Sequence, residues 1–100
     1  GMVPPKNERV YTILKKYIPY ELEKRVGGYS IISSLSDVKE KPPASQVFLR
    51  LDQLEQQWGS EHLILENNKL MVLDKNKNIV STIELRTEDE LNWVKTFFKK

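Results

Sequence analysis

The spacing of apolar positions changes about halfway along the chain, and with it the kind of element predicted. From Glu8, the residues Val10, Ile13, Leu14 and Tyr17 fall at i, i+3, i+4 and i+7, one apolar stripe of a helix, with Arg9, Lys15 and Lys16 largely off it. Asn7 is placed to cap that helix, because its side-chain oxygen can accept an orphan backbone N–H. Pro19 ends it by pushing Ile18 out of the α region, and suits the first position of a second short helix, PYELEKRV, with Leu22 and Val26 facing in. Gly27 and Gly28 stop that helix.

Residues 29 to 38, YSIISSLSDV, fit either kind of element. Ile31, Ile32, Leu35 and Val38 suit a helix, and the β-branched pair among serines suits a strand almost as well; the reading adopted is helix. KEKPP at 39 to 43 is a break. After Ser45, a good N-cap, Val47, Leu51, Leu54 and Trp58 define an amphipathic helix over 45–58 that Gly59 closes.

Residues 62 to 85 shift to the period of strands and read as a three-stranded antiparallel meander. Asn67-Asn68 makes a two-residue turn with both residues at positive φ, and Asp74 to Asn78 makes a longer one. With that loop, Leu65 opposes Leu70 and Leu63 opposes Val72 on one face, while Ile64 opposes Met71 and His62 opposes Leu73 on the other. In the third strand Ile79, Ser81, Ile83 and Leu85 share one side, and Val80, Thr82 and Glu84 the other. Thr87 with Glu90 three residues on is a capping box that opens a final helix over about 88–99, with an apolar face of Leu91, Trp93, Val94, Phe97 and Phe98.

The expected architecture is α+β: a lead-in over 1–7 with a tag scar at Gly1, then a single domain over 8–100 with a helical first half, the meander and the last helix. The core is expected at Val10, Ile13, Leu14, Leu22, Leu51, Leu54, Trp58, Leu63, Leu65, Leu70, Val72, Ile83, Leu91, Val94 and Phe98.

Composition narrows the function classes. The chain is 39% hydrophobic and 30% charged, the balance of a globular domain, and its net charge of +2 makes no general case for nucleic acid or an anionic membrane. There is no cysteine, so neither a disulfide framework nor a thiolate metal site. No apolar run is long enough to span a membrane and no signal-peptide core opens the chain, so a cytoplasmic or nuclear setting is expected. His62 is the only histidine; a Ser60–His62 pair would lack an orienting carboxylate, and Asp74 to Asn78 lacks the glycine and closing glutamate of a calcium loop. No catalytic residue, metal, cofactor or small-molecule substrate is predicted.

Two binding readings remain. Apolar residues on both faces of the meander predict a non-enzymatic interaction module that meets a protein partner, or a second copy, through Ile64, Met71, Leu73 and Val80. The alternative is a winged-helix-like nucleic-acid binder, with helix 45–58 as reader through Arg50, Gln53 and Gln57, and Asp74–Asn78 as a wing carrying Lys75 and Lys77. Asp52 and Glu55 make the supposed reader net negative, which counts against it.

The last stretch, IVSTIELRTEDELNWVKTFFKK, resembles the end of a pleckstrin-homology domain, a last strand followed by a helix with a buried tryptophan, here Trp93. The resemblance covers about a fifth of the chain and implies seven strands before the helix. The helical reading of the residues before His62 departs from that pattern, and no lipid-binding residue is carried over.

Overall fold

The computed structural model describes residues 5–100; Gly1 and the tag scar expected there lie outside the described residues, as does the side chain of Val38. The order of elements is α1 (Glu8–Leu14), β1 (Tyr20–Arg25), β2 (Gly28–Ser33), β3 (Ser36–Glu40), a 3-10 turn (Ala44–Gln46), α2 (Val47–His62), β4 (Leu63–Glu66), β5 (Lys69–Leu73), β6 (Ile79–Glu84) and α3 (Glu88–Phe98). The α+β class holds, as does the order of first helix, strands and last helix. The first half, however, holds a second sheet: β1-β2-β3 form one antiparallel meander and β4-β5-β6 another. Each meander is followed by a helix.

Three sequence expectations change here. The short helix at Pro19 to Val26 is β1, with Leu22 opposite Ile31 and Val26 standing 99% exposed in the turn. Tyr20 and Leu22 alternate with Glu21 and Glu23, which suits a strand with one buried face; pairing with β2 satisfies backbone groups that so short a helix would leave open at its ends. Gly27, at φ +82, serves that hairpin turn rather than a helix stop. Residues 29 to 38 fall in β2, β3 and the turn between them, with β2 paired to β1 and β3 to β2, and neither to the second meander. Among the described side chains this sheet carries one buried apolar position, Ile31, so its pattern in the sequence is faint.

The long helix also differs at both ends. It begins at Val47, with Ser45 inside the 3-10 turn and Gln46 at the N-cap making no side-chain cap. It runs through Gly59 to His62, where the Leu63 N–H reaches back to the Gly59 carbonyl and His62 Nδ1 lies 2.9 Å from the Trp58 carbonyl oxygen. Gly59 is present for space: a Cβ there would overlap the Phe98 ring of α3.

The second meander follows the predicted register, with Leu63↔Val72, Ile64↔Met71 and Leu65↔Leu70. His62 ends α2 instead of pairing with Leu73, and of Asn67 and Asn68 only Asn67 has positive φ, the pattern of a type II′ turn. Of the three predicted caps, that of Ser45 does not form and two do: Asn7 accepts from the Val10 N–H at 3.0 Å and Thr87 from the Glu90 N–H at 3.1 Å.

Two apolar clusters hold these parts together. The larger joins Val10, Leu14 and Ile18, Trp58 of α2, Leu63, Leu70, Val72 and Ile83 of the second sheet, and Val94, Phe97 and Phe98 of α3. The smaller is Ile31 of the first sheet with Leu51 and Leu54 of α2, flanked by Tyr20 and Leu22. Most expected core residues are buried; Ile13, Leu22, Leu65 and Leu91 sit at the margin, and Ile18, Val47, Leu73, Leu85 and Phe97 join the buried set. The extents of 43 × 32 × 18 Å describe a flat body one sheet and one helix deep. Helices line the inner sheet faces, so the outer faces are left to solvent or to partners.

Candidate functional site

The outer face of the second sheet is set by strand alternation. Leu63, Leu70, Val72 and Ile83 point to the helices, and the row Ile64–Met71–Thr82 crosses the opposite face in register. Ile64 is 44% exposed and Met71 half-buried. Charged neighbours in the next row are Glu66, Lys69 and Glu84.

The expected patch of Ile64, Met71, Leu73 and Val80 divides in two. The register shifts between Val72↔Ser81 and Leu73↔Ile79, which makes Val80 the extra residue of a β-bulge. A bulge resets the alternation, so Val80 does not extend the Ile64–Met71 row. Leu73 is only 9% exposed. Leu73 and Val80 instead line a cleft of about 290 Å³. Its floor includes Trp58 and Val72, both buried, and its lip includes Leu35 of the β2–β3 turn, 67% exposed, and Val80, 48% exposed. Leu35 was not among the expected site residues; its only sequence signal was an aliphatic residue among serines in an ambiguous segment. Lys16 and Lys75 stand at the rim. A second hollow of about 310 Å³, lined by Ser33, Glu21 and Ile32 among others, shares Lys16, Tyr17, Pro19 and Ser34 with the cleft. The two form one trough, apolar at one end and polar at the other.

Of the five residues expected to read nucleic acid, Arg50 and Lys77 are engaged within the fold. Arg50 donates twice to Glu40, at 2.7 and 2.9 Å, a pair that links α2 to β3. Lys77 donates to the Glu61 carbonyl at 2.7 Å, and Asp74 ties the supposed wing by accepting from the Asn76 and Asn78 N–H groups. These bonds hold the Asp74 carboxyl below its ordinary range, the backbone bond from Asn78 contributing most. Gln53, Gln57 and Lys75 are exposed. Ser60 and His62 do not meet as a pair: the Ser60 hydroxyl donates to the Gln57 carbonyl, and His62 stacks on Trp58 with centroids 5.2 Å apart.

Among the described residues three carboxylates are buried, Asp52, Glu55 and Glu90, and the last two clamp α1. Glu55 is 0% exposed and accepts from the Tyr11 hydroxyl at 2.8 and 2.9 Å, with Lys15 Nζ at 3.5 Å. Burial raises its pKa, and the Tyr11 bond and Lys15 offset part of that rise. The Tyr11 hydroxyl is itself pushed far above its ordinary value, by burial first and by the Glu55 charge next. Beside this pair, Lys6 bridges to Asp52 at 2.8 Å. Glu90 takes a two-pronged bond from Arg9, both arms at 2.7 Å, and one from the Arg86 N–H. None of Glu55, Tyr11 or Glu90 lines the trough, so these groups read as fastenings of α1.

Among the described residues no group of three His, Asp or Glu side chains is placed to hold a metal, and no helix is long and apolar enough to cross a membrane. The pleckstrin-like ending also departs from its family: six strands in two sheets precede α3, and Trp93 is half-buried, stacked on Phe97. A scan against protein-family models, a search of curated proteins and a search of solved structures each found no match.

Proposed function

We propose that this chain is a non-enzymatic protein-interaction module that docks a partner protein, or a second copy of itself, through the second sheet. The observation that carries the reading is the open row Ile64–Met71–Thr82, which places an exposed aliphatic and a half-buried methionine side by side on a flat face. Methionine adapts its shape to a partner surface, and a flat sheet face offers area without a pocket. Support for duplex binding through α2 is weaker, because Arg50 and Lys77 are already engaged within the fold.

The test pairs Ile64→Lys with Met71→Lys. Both side chains lie on the outer face, so the unfolding midpoint should stay near that of the parent. Association should be lost, whether read as self-association by sedimentation velocity up to millimolar concentration or as binding to a purified partner. A parent that stays monomeric throughout, together with equal partner binding by parent and variant, would sink the reading. Leu73→Lys is the contrasting control: a charge placed at that buried position should lower stability.

A further inference from the structure

The trough differs from the outer face in being concave, amphipathic and positively charged at one end. We infer that it captures the C-terminal segment of a partner protein, with an apolar last residue in the cleft and its carboxylate between Lys16 and Lys75. This rests on the reading of the chain as a protein-interaction module and names the part of the partner that is bound.

Three observations converge on that occupant. The cleft is walled by apolar side chains from separate parts of the chain, with Leu35 and Val80 at its mouth over Trp58, Val72 and Leu73. Two exposed aliphatics that look unrelated in sequence thus belong to one hollow. Its size, about 290 Å³, sits at the small end of the roughly 300–1,000 Å³ of ligand pockets, enough for one or two side chains rather than a long acyl chain.

Charge gives the second. Neither the Lys16 nor the Lys75 ammonium is hydrogen-bonded or ion-paired among the described residues. The cleft's own carboxylate, Asp74, is occupied by the N–H groups of its turn. Asp74 keeps its charge and offsets part of that of Lys75, which leaves the cleft with one net positive charge. The complement of such a hollow is an apolar group bearing a negative charge.

The adjoining hollow gives the third. It continues past Lys16 and Pro19 and is more polar, with Ser33 and Ser34 at its side. A peptide matches that change, because its last side chain is apolar while its upstream backbone needs hydrogen-bond partners. A free fatty acid would have to lay its tail along the polar end or leave it unfilled.

The probe is an acetylated serine–glycine hexapeptide ending in valine and leucine with a free carboxylate, titrated against the ¹⁵N-labelled full chain. Saturable shifts are expected at Leu35, Val80 and the Trp58 indole. The same peptide as a carboxamide should bind about tenfold more weakly, the size of one lost charge-assisted contact. Lys16→Gln and Lys75→Gln should each weaken the carboxylate peptide and leave the carboxamide unchanged; their dispersed spectra serve as the check on folding. The Ile64→Lys, Met71→Lys protein should respond as the parent does, which separates failure here from failure of the outer-face reading. Equal affinity for carboxylate and carboxamide, no saturable shift, or shifts confined to the outer face would each overturn the inference. Tighter binding of octanoate than of the peptide would overturn it as well, by assigning the cleft to a free acid.

Discussion

Glu55 and Glu90 are both buried side chains that fasten α1, yet their stabilities depend on pH in opposite senses. Glu90 is held down to a pKa of about 2, against an ordinary 4.5, chiefly by the Arg9 hydrogen bonds and next by the Arg86 N–H. Its contribution is therefore complete above pH 4.5 and is lost as the pH falls toward 2. Glu55 is raised instead, because no water reaches it and one tyrosine hydroxyl with a lysine at 3.5 Å does not fully replace hydration. The folded state prefers its protonated form, so its contribution declines as the pH rises above 4.5. Glu90→Gln should thus flatten the loss of stability on acidification below pH 4.5. Glu55→Gln should compare more favourably with the parent at pH 7 than at pH 4. Urea midpoints measured across that range check both signs, and parallel curves for parent and variant would refute the corresponding assignment.

At the scale of elements, what was legible in the sequence follows the strength of each local signal. The register of β4 and β5 was readable because two asparagines fixed the loop and both flanking runs were apolar. The start of α3 was readable because Thr87 and Glu90 make a cap by local geometry alone. The first sheet was not, since Leu22 and Val26 satisfy a helical spacing as well as Tyr20 and Leu22 satisfy an alternating one. Pairing across the Val26–Gly27 turn decided between them, and that is a tertiary event. The candidate site was half legible for the same kind of reason. Strict alternation placed Ile64 and Met71 correctly on one face, but no residue type announces the bulge that moves Val80 out of it. Gly59 shows the converse case, a glycine that reads as a stop and serves as a gap. Gly59→Ala should lose about 1–3 kcal/mol, the usual cost of overpacking, because the new methyl overlaps the buried Phe98 ring and lies 3.2 Å from Leu63 Cδ1. Helix propensity alone predicts a gain from the same change, so the sign of the shift in urea midpoint separates the two accounts.

For the whole molecule, unequal cores imply unequal stability. The second sheet is covered by α1, the end of α2 and α3 around a cluster that includes Trp58, Leu70, Val72, Val94 and Phe98. The first sheet leans mainly on α2, through Ile31, Leu51 and Leu54, with Tyr20 also touching the larger cluster and charged pairs such as Arg50–Glu40 and Lys39–Glu23 at its sides. Side pairs of this exposed kind contribute little, so the smaller cluster carries most of the attachment. Regions with few buried apolar contacts open at lower free energy than the global transition. Amides of β1 to β3 should therefore exchange through a partial opening, while those of β4, β5 and α3 exchange only on full unfolding. Leu54→Ala removes a side chain from the smaller cluster, a change that costs about 2–5 kcal/mol where the site cannot collapse. Its effect should fall on the first sheet, raising exchange there by more than at Leu70 or Val94. Native-state hydrogen exchange resolved by residue measures both, and uniform protection across the two sheets would show a single cooperative unit instead. The trough adds a consequence for binding: Leu35 and Ser34 come from the less stable sheet, whereas Trp58, Val72 and Val80 come from α2 and the more stable one. A peptide held across that boundary should raise protection in β2 and β3 toward the level of β4 and β5. An outer-face contact at Ile64 and Met71 touches the stable sheet alone and should leave the first sheet's exchange unchanged.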